Sequence, residues 1–312
     1  MKIYIQFVLL FSVTSLLGQP ISTNEYFVKS TLNDFHLKGK VKAITTNAKD
    51  NNGDWVTLPF GVNEFYNQYV LEFNSKGLLI KQTNYLDYRG KLGVYNFVDN
   101  VYSNESLIKN QKVTIVNNGE DPQRVSSDKS FDYNDKNNLL TLNEVVKGKN
   151  SSSTYQTEFL YTNRLDEVVT KVNQVKSSSS HYVYNRAGNL ISVKNTSFDG
   201  KAGLFKYFIY DNNSAIYKEE TINNRKIITY FNADEPSYLQ VFNEKQQLDY
   251  QVDFNYKNEI VSFKKSAYKN NQILLNSFQV HYAYDDQGNW IEAKISTDNQ
   301  LKYVVNRKIQ YY

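Results

Sequence analysis

The sequence has few residues of the types that carry catalysis. Its three histidines are His36, His181 and His281, and it contains no cysteine. His181 and His281 each stand three residues before the aromatic residue of a phrase that recurs along the chain. Nucleophilic catalysis needs a histidine beside a serine and an orienting carboxylate, whereas equivalent repeat positions place these two histidines on separate strands. We therefore predict a non-enzymatic protein with no catalytic residue and no cofactor.

Metal and nucleotide binding receive no better support. Asp50–Asp54 (DNNGD) imitates the start of a calcium loop, but Trp55 stands where that loop needs Gly and Gly61 where it needs a bidentate Glu. The segment predicts a polar turn rather than a metal site. Gly148-Lys149 lacks the preceding Gly and the following Ser or Thr of a phosphate loop. Three scattered histidines without cysteine do not predict a zinc site.

Carboxylates leave one enzymatic alternative open. A glycan-directed hydrolase uses two carboxylates about 5 to 9.5 Å apart across a cleft, and the chain has 32 Asp and Glu. Many of them stand in turns or beside lysines, as Asp285-Asp286 and Glu219-Glu220 do, which is typical of a solvated surface. The hydrolase therefore stays an alternative whose carboxylate pair is not located.

Aromatic side chains are the remaining candidates for recognition. The chain has 26 Tyr, 18 Phe and 2 Trp, and an exposed Tyr or Trp can stack on a sugar ring or anchor a protein. Aromatic residues at repeated positions, such as Tyr184 and Tyr284, are expected to pack the sheet. Trp55 and Trp290 lie outside the regular aromatic positions. We therefore predict a ligand surface near Trp55 and Trp290.

The N-terminus has the pattern of an export signal. Met1–Gly18 carries one charge, Lys2, followed by an apolar run of roughly 15 residues, shorter than the ~20 that span a bilayer. We predict a signal peptide at residues 1–18 and a single domain at 19–312 without a membrane span. A net charge of +4 is too small to indicate nucleic acid as the partner. An exported chain without cysteine must obtain its stability from its packed core.

A repeated phrase predicts the elements that position these residues. It reads aromatic residue, Asn or Asp, two variable residues, Gly or Asn, one variable residue, and two positions that favour apolar residues. The best copies are Phe73–Ile80, Tyr133–Leu140, Tyr184–Ile191 and Tyr284–Ile291, and degenerate copies begin at Tyr161, Tyr210, Phe242 and Tyr256.

Each copy predicts the tip of a β-hairpin. Asn or Asp at the second position can bond to the backbone two residues on, and Gly or Asn at the fifth tolerates the left-handed conformation. The flanks alternate apolar and polar residues as strands do. The pattern predicts an all-β fold, in which antiparallel β-hairpin repeats form an extended twisted sheet or a partly closed, barrel-like meander.

The remaining boundaries follow from local composition. Residues 19–34 are a lead-in, where Ser22–Glu25 could cap a short helix, and Lys38–Thr46 is the first strand. The expected loops and hairpin connections are Asp50–Gly61, Asn117–Lys129, Lys147–Thr154 and Ser177–Ser180.

The phrase resembles the YD repeats of the Rhs and teneurin group, and more specifically a set of uncharacterised exported proteins of Bacteroidota. The opening Leu37–Val41 and the ending Arg307–Tyr312 add to the resemblance. Full Rhs toxins have many more repeats and a C-terminal toxin released near an Asp-Pro motif, whereas Asp121-Pro122 lies mid-chain here. The resemblance implies an architecture rather than an activity.

These observations predict a binding or structural protein of the cell envelope, located in the periplasm or at the cell surface. Its partner would be a protein or a glycan of the envelope. The alternatives are the hydrolase considered above and an accessory or immunity protein of a secretion system.

Overall fold

The computed structural model describes residues 31–57, 66–103, 107–116, 124–148, 150–197, 202–211, 214–222, 225–232, 235–257, 259–269 and 272–312. The predicted signal peptide and the Ser22–Glu25 cap lie outside these residues. Within them the lead-in contributes a one-turn 3-10 helix, Asn33–Phe35. The strands are β1 (Val41–Asp50), β2 (Gln68–Phe73), β3 (Leu79–Tyr88), β4 (Lys91–Tyr102), β5 (Ile108–Val116), β6 (Arg124–Tyr133), β7 (Leu139–Lys147), β8 (Ser152–Tyr161), β9 (Leu165–Val172), β10 (Val175–Tyr184), β11 (Leu190–Ser197), β12 (Ala202–Asp211), β13 (Ser214–Ile222), β14 (Arg225–Asn232), β15 (Glu235–Phe242), β16 (Leu248–Lys257), β17 (Glu259–Lys269), β18 (Gln272–Tyr284), β19 (Trp290–Thr297) and β20 (Gln300–Tyr311).

The twenty strands form one closed antiparallel barrel. Each strand pairs with the next one along the chain, and β1 pairs with β2 on one side and with β20 on the other. The all-β antiparallel prediction is confirmed, and the sheet closes fully where the sequence predicted an extended or partly closed one. A closed ring pairs every strand on both sides, so the sheet presents no open edge for aggregation.

The predicted hairpin tips have the predicted geometry. In the β2–β3 turn, Asn74 Oδ1 accepts the backbone N–H groups of Lys76 and Leu78, both at 3.0 Å, and Gly77 has a φ of +77°. The turns that begin at Asn134, Asn185, Asn243 and Asp285 repeat this pattern. Asn or Asp therefore organises each of these five tips, because its side chain satisfies backbone donors that the turn leaves unpaired.

One end of the barrel, here called the motif end, carries an aromatic residue before each even-to-odd hairpin tip. The register shifts by one residue, as at a β-bulge, immediately before this residue, so two residues of the next strand oppose one of the first. In the register, the aromatic residue then has an apolar residue of the next strand as its direct partner. The pairs are Phe73 with Leu79, Tyr102 with Ile108, Tyr133 with Leu139, Tyr161 with Leu165, Tyr184 with Leu190, Tyr210 with Ala215, Phe231 with Pro236, Tyr256 with Ile260 and Tyr284 with Trp290.

Tyrosine hydroxyls of this row bind the preceding hairpin. Tyr102 Oη donates to Leu79 O at 2.8 Å, Tyr133 Oη to Ile108 O at 3.0 Å, and Tyr184 Oη to Leu165 O at 2.9 Å. Each ring therefore extends toward the apolar residue of the hairpin before it. Burial, with a further contribution from Asp166, raises the pKa of Tyr184 to about 12.

Some sequence predictions of boundaries are wrong. Asn117–Lys129 was expected to be a loop, yet β6 begins at Arg124, because the backbone from there on pairs with β5 and β7. Ser177–Ser180 was expected to be a connection and lies inside β10, whose preceding turn is at Asn173-Gln174. The copy at Phe242 has the predicted turn but lies in the β15–β16 hairpin, at the opposite end of the barrel.

The buried core lines the inner face of the barrel in two clusters. One cluster runs from β18 through β20 and β1 to β3, includes Ile44 and Phe73, and is joined by Leu37. Phe35 packs against Phe73 with the two ring centroids 5.7 Å apart. The other joins β5 to β12 and includes Leu139 and Phe159. Each cluster joins strands that follow one another around the ring.

Candidate functional site

The barrel closes at a clasp formed by three segments that the sequence had singled out. Asn289, in the β18–β19 tip, accepts the Lys38 N–H at Oδ1 over 2.7 Å and donates from Nδ2 to Lys38 O at 2.9 Å and to the Tyr311 hydroxyl at 2.7 Å. Asn289 is 3% exposed. One buried amide therefore joins the opening Leu37–Val41, the last phrase of the chain and the ending Arg307–Tyr312.

Asp285 connects the clasp to its turn. The Tyr311 hydroxyl donates to Asp285 Oδ2, and Asp285 Oδ1 accepts the N–H groups of Gln287 and Asn289 at 3.0 and 2.9 Å. Desolvation raises the pKa of Asp285, but the hydrogen bonds from Tyr311 and the turn outweigh it and leave the pKa lowered. Desolvation and the bond to Asp285 raise the pKa of Tyr311. The carboxylate is thus held ionised as a structural acceptor.

The two chain segments at the clasp also bind each other. Tyr312 donates its N–H to Lys40 O at 3.0 Å, and its hydroxyl donates to Phe73 O at 2.6 Å. Gly39 has a φ of +78°, and a Cβ at this position would lie 3.3 Å from both Gln287 Oε1 and Tyr311 Cε1. Glycine is required there because the backbone is left-handed and the space is occupied.

We expect Asn289→Ala to lower the free energy of unfolding by about 1 to 3 kcal/mol, because it leaves the backbone groups of Lys38 without their buried partner. Asn138→Ala is the matched control, since Asn138 has the same position in the β6–β7 tip but lies away from the seam, the place where β1 pairs with β20. Urea unfolding followed by circular dichroism measures both changes. Equal losses in the two variants would show that the clasp adds nothing to the turn.

A recess lies on the outer face above β1, next to the clasp. Its cavity volume is about 330 Å³. Ala43 and Thr45 of β1 form its floor, because Ala43 lies between Glu72 of β2 and Gln310 of β20 in the register. The full lining is Lys42, Ala43, Thr45, Val70, Glu72, Phe73, Ile80, Lys308, Gln310 and Tyr312.

The recess combines the groups that recognise small polar molecules. Lys42 and Lys308 are exposed and donate hydrogen bonds, the carboxylate of Glu72 accepts them, and the amide of Gln310 can donate and accept. Tyr312 is 57% exposed and adds an aromatic surface. Such a mixture of apolar surface and a few convergent polar groups is typical of small-molecule sites, whose volumes start at about 300 Å³. No sequence motif marks these side chains as ligands, because they come from three strands that are distant along the chain.

The two tryptophans of the predicted ligand surface lie apart. Trp55 lies beyond the C-terminal end of β1, which is the end away from the clasp. The Trp55 backbone forms a β-bridge with Lys49, and Lys49 Nζ lies 4.5 Å from the centroid of the Trp55 ring. Trp290 faces inward at the motif end, with Arg307 Cζ 3.3 Å above its ring and Tyr282 5.9 Å away. Packing therefore occupies the Trp290 ring. A ligand role for either residue stays a prediction.

The other candidate residues lie in turns or on the wall. His181 and His281 occupy equivalent places, opposite Lys194 and Lys294, and both are exposed on the outer face. Asp50 Oδ1 accepts the N–H groups of Asn52 and Asp54 at 2.8 and 3.0 Å, which confirms the predicted polar turn.

The buried carboxylate Glu220 is neutralised by two lysines. Its oxygens lie 3.4 Å from Lys206 Nζ and 2.7 Å from Lys218 Nζ on the inner wall. Burial raises the pKa of Glu220, but Lys218 and Lys206 outweigh burial and lower it. A general acid would need a raised carboxyl pKa, so Glu220 serves as the centre of an ion cluster. Among the residues described, no group of three or more His, Cys, Asp and Glu is placed to hold a metal ion.

The fold and the seam define a closed, twenty-stranded antiparallel barrel protein. No protein-family model and no curated protein matches the chain. Among solved structures, it is similar to a porin-like protein from Bacteroides uniformis, at 9% identity over 88% of this chain and 98% of that one with a TM-score of 0.37. A porin-like protein from Bacteroides vulgatus aligns at 13% identity over 87% and 98%, with a TM-score of 0.24.

A third similarity is to the Photorhabdus luminescens Tc holotoxin pore, at 9% identity over 77% of this chain and 19% of that one with a TM-score of 0.20. These TM-scores carry no argument about function, and the resemblance to YD-repeat proteins stays a prediction. In the part of the chain that the structure covers, no helix has the length and apolar character to cross a bilayer.

Proposed function

We propose that this protein is a non-enzymatic binding or structural barrel of the cell envelope, exported by its N-terminal signal. The observation that carries the proposal is the use of the repeated residues. At the motif-end tips that begin at Asn74, Asn134, Asn185 and Asp285, Asn or Asp holds the turn, and the aromatic residue before the turn pairs with an apolar residue of the next strand. A chain whose recurring side chains build the wall is organised as a scaffold, and recognition then belongs to places where the repeat is interrupted, as at the seam.

The recess at the seam favours binding over hydrolysis. A glycoside hydrolase needs two carboxylates facing one substrate bond. The lining of the recess has one carboxylate, Glu72, together with Lys42 and Lys308. This arrangement can hold a polar ligand but does not provide a paired acid and base.

A row of alternating charges on the outer face supports an aqueous setting for this part of the barrel wall. Glu72, Lys81, Asp99, Lys112 and Asp128 are successive direct partners across β2 to β6 on this face. Opposite charges at directly paired positions stabilise a sheet in water by about 0.2 to 1 kcal/mol per pair. In lipid each lysine would instead cost up to about 2 to 4 kcal/mol.

A combined binding and turnover assay tests the proposal. Purified mature protein is incubated with envelope polysaccharide, and both its retention on the polysaccharide and the release of new reducing ends are measured. We expect retention without release. Release of reducing ends that disappears in Glu72→Gln would replace the binding function with the hydrolase, and absence of retention would contradict glycan binding.

A further inference from the structure

We propose that the recess above β1 binds a short saccharide that carries a carboxylate. This inference rests on the proposed function and names its ligand class and its site. Three features of the recess support it: its shape, its charge and its exposed aromatic ring.

The shape of the recess follows from small residues on the outer face of β1. Ala43 has Glu72 and Gln310 as its direct partners, and Thr45 has Val70 and Lys308. The longer side chains of β2 and β20 therefore form two walls along a low floor. The cavity of about 330 Å³ between these walls can hold a ring-shaped ligand laid along β1.

The charged groups of the recess favour an anion. Its side chains include the ammonium groups of Lys42 and Lys308 and the carboxylate of Glu72, so cations outnumber anions among them. Lysine ammonium groups bind carboxylates through charge-assisted hydrogen bonds. Glu72 and Gln310 provide acceptors for sugar hydroxyls, and Gln310 and Thr45 provide donors.

The clasp fixes an aromatic ring at the edge of the recess. The Tyr312 hydroxyl donates to Phe73 O at 2.6 Å and its N–H donates to Lys40 O. The residue is held at its backbone and at its hydroxyl while 57% of it remains exposed. A fixed and exposed Tyr ring is a surface on which a sugar can stack at little cost in side-chain entropy.

Titration calorimetry with a uronic-acid disaccharide and a matched neutral disaccharide tests the proposal. We expect the acidic probe to bind and the neutral probe to bind at least about tenfold more weakly. Lys308→Gln should weaken acidic binding by about tenfold through loss of a charge-assisted bond. Equal affinity of both probes would overturn the role of the lysines.

Two further variants separate the site from the fold. Ala43→Leu fills the floor without removing a polar group and should abolish binding, whereas Lys194→Gln, on the outer face of β11, should not change it. Unchanged thermal midpoints identify variants that remain folded. Wild-type affinity in folded Ala43→Leu would show that the recess is not the site, while retention on envelope polysaccharide would still support the proposed function.

Discussion

Ile44→Asp is expected to prevent the barrel from closing, with loss of the cooperative thermal transition in circular dichroism. Ile44 is 2% exposed and is the direct partner of Leu71 on β2 and of Ile309 on β20. It therefore lies at the point where the first strand joins the second and the last. A carboxylate there has apolar partners on both sides, and burying such an unpaired group costs several kcal/mol, a large part of the stability of a typical domain.

Thr45→Asp is the control for this change. Thr45 is the next residue of β1 and faces outward between Val70 and Lys308, so the same side chain is introduced on the solvated side. We expect a thermal midpoint close to that of the wild type. If Ile44→Asp melts cooperatively at the temperature of Thr45→Asp, the seam is not required for the fold.

Leu139→Ala is expected to lower the free energy of unfolding by about 2 to 5 kcal/mol, while Leu140→Ala changes it by less than about 1 kcal/mol. The two leucines are adjacent in one phrase, but Leu139 is 1% exposed and Leu140 is 39% exposed. Leu139 is the partner of Tyr133 and belongs to the inner cluster that contains Phe159. Truncating Leu139 leaves a cavity in this cluster, beside Tyr133 at the motif end.

Urea denaturation of the two variants measures the difference directly. The same substitution at neighbouring positions keeps helix and strand propensity constant, so the comparison isolates burial. A similar loss at both positions would show that the bulge does not direct the two side chains to opposite faces, and would contradict the assignment of the inner face.

The sequence predicts where the turns lie better than it predicts which residues of a strand face the inside of the barrel. Asn74 and Gly77 indicate their turn locally, because side-chain bonding and a left-handed backbone are properties of a few adjacent residues. The two apolar positions that end each phrase look alike, yet Leu139 faces inward and Leu140 outward, because the bulge before the aromatic residue changes the register. Tips at Tyr102 and Phe231 were missed since they do not match the phrase.

The closure and the recess depend on contacts that no local pattern contains. Val41 and Tyr311 are direct partners although they lie at opposite ends of the sequence, and Asn289 binds Lys38 across a separation of 251 residues. Lys42, Glu72 and Lys308 come together only because β1 lies between β2 and β20. The sequence pattern predicts a ligand surface at the two tryptophans, whereas the recess is built from residues that match no ligand-binding motif in their own strands.

Because β1 pairs with β20, the first and the last strand of the chain have two neighbours each, like every other strand of the ring. Both described ends of the chain, at the 3-10 helix and at Tyr312, meet at the motif end, where every even-to-odd connection also lies. A hairpin is therefore the unit by which such a ring could grow or shrink. Adding one hairpin to a circular ring would lengthen the circumference by about 9.6 Å and the radius by about 1.5 Å, without creating an edge. The seam would then differ from the other strand pairings, because a specific set of side-chain bonds holds it instead of a hairpin turn.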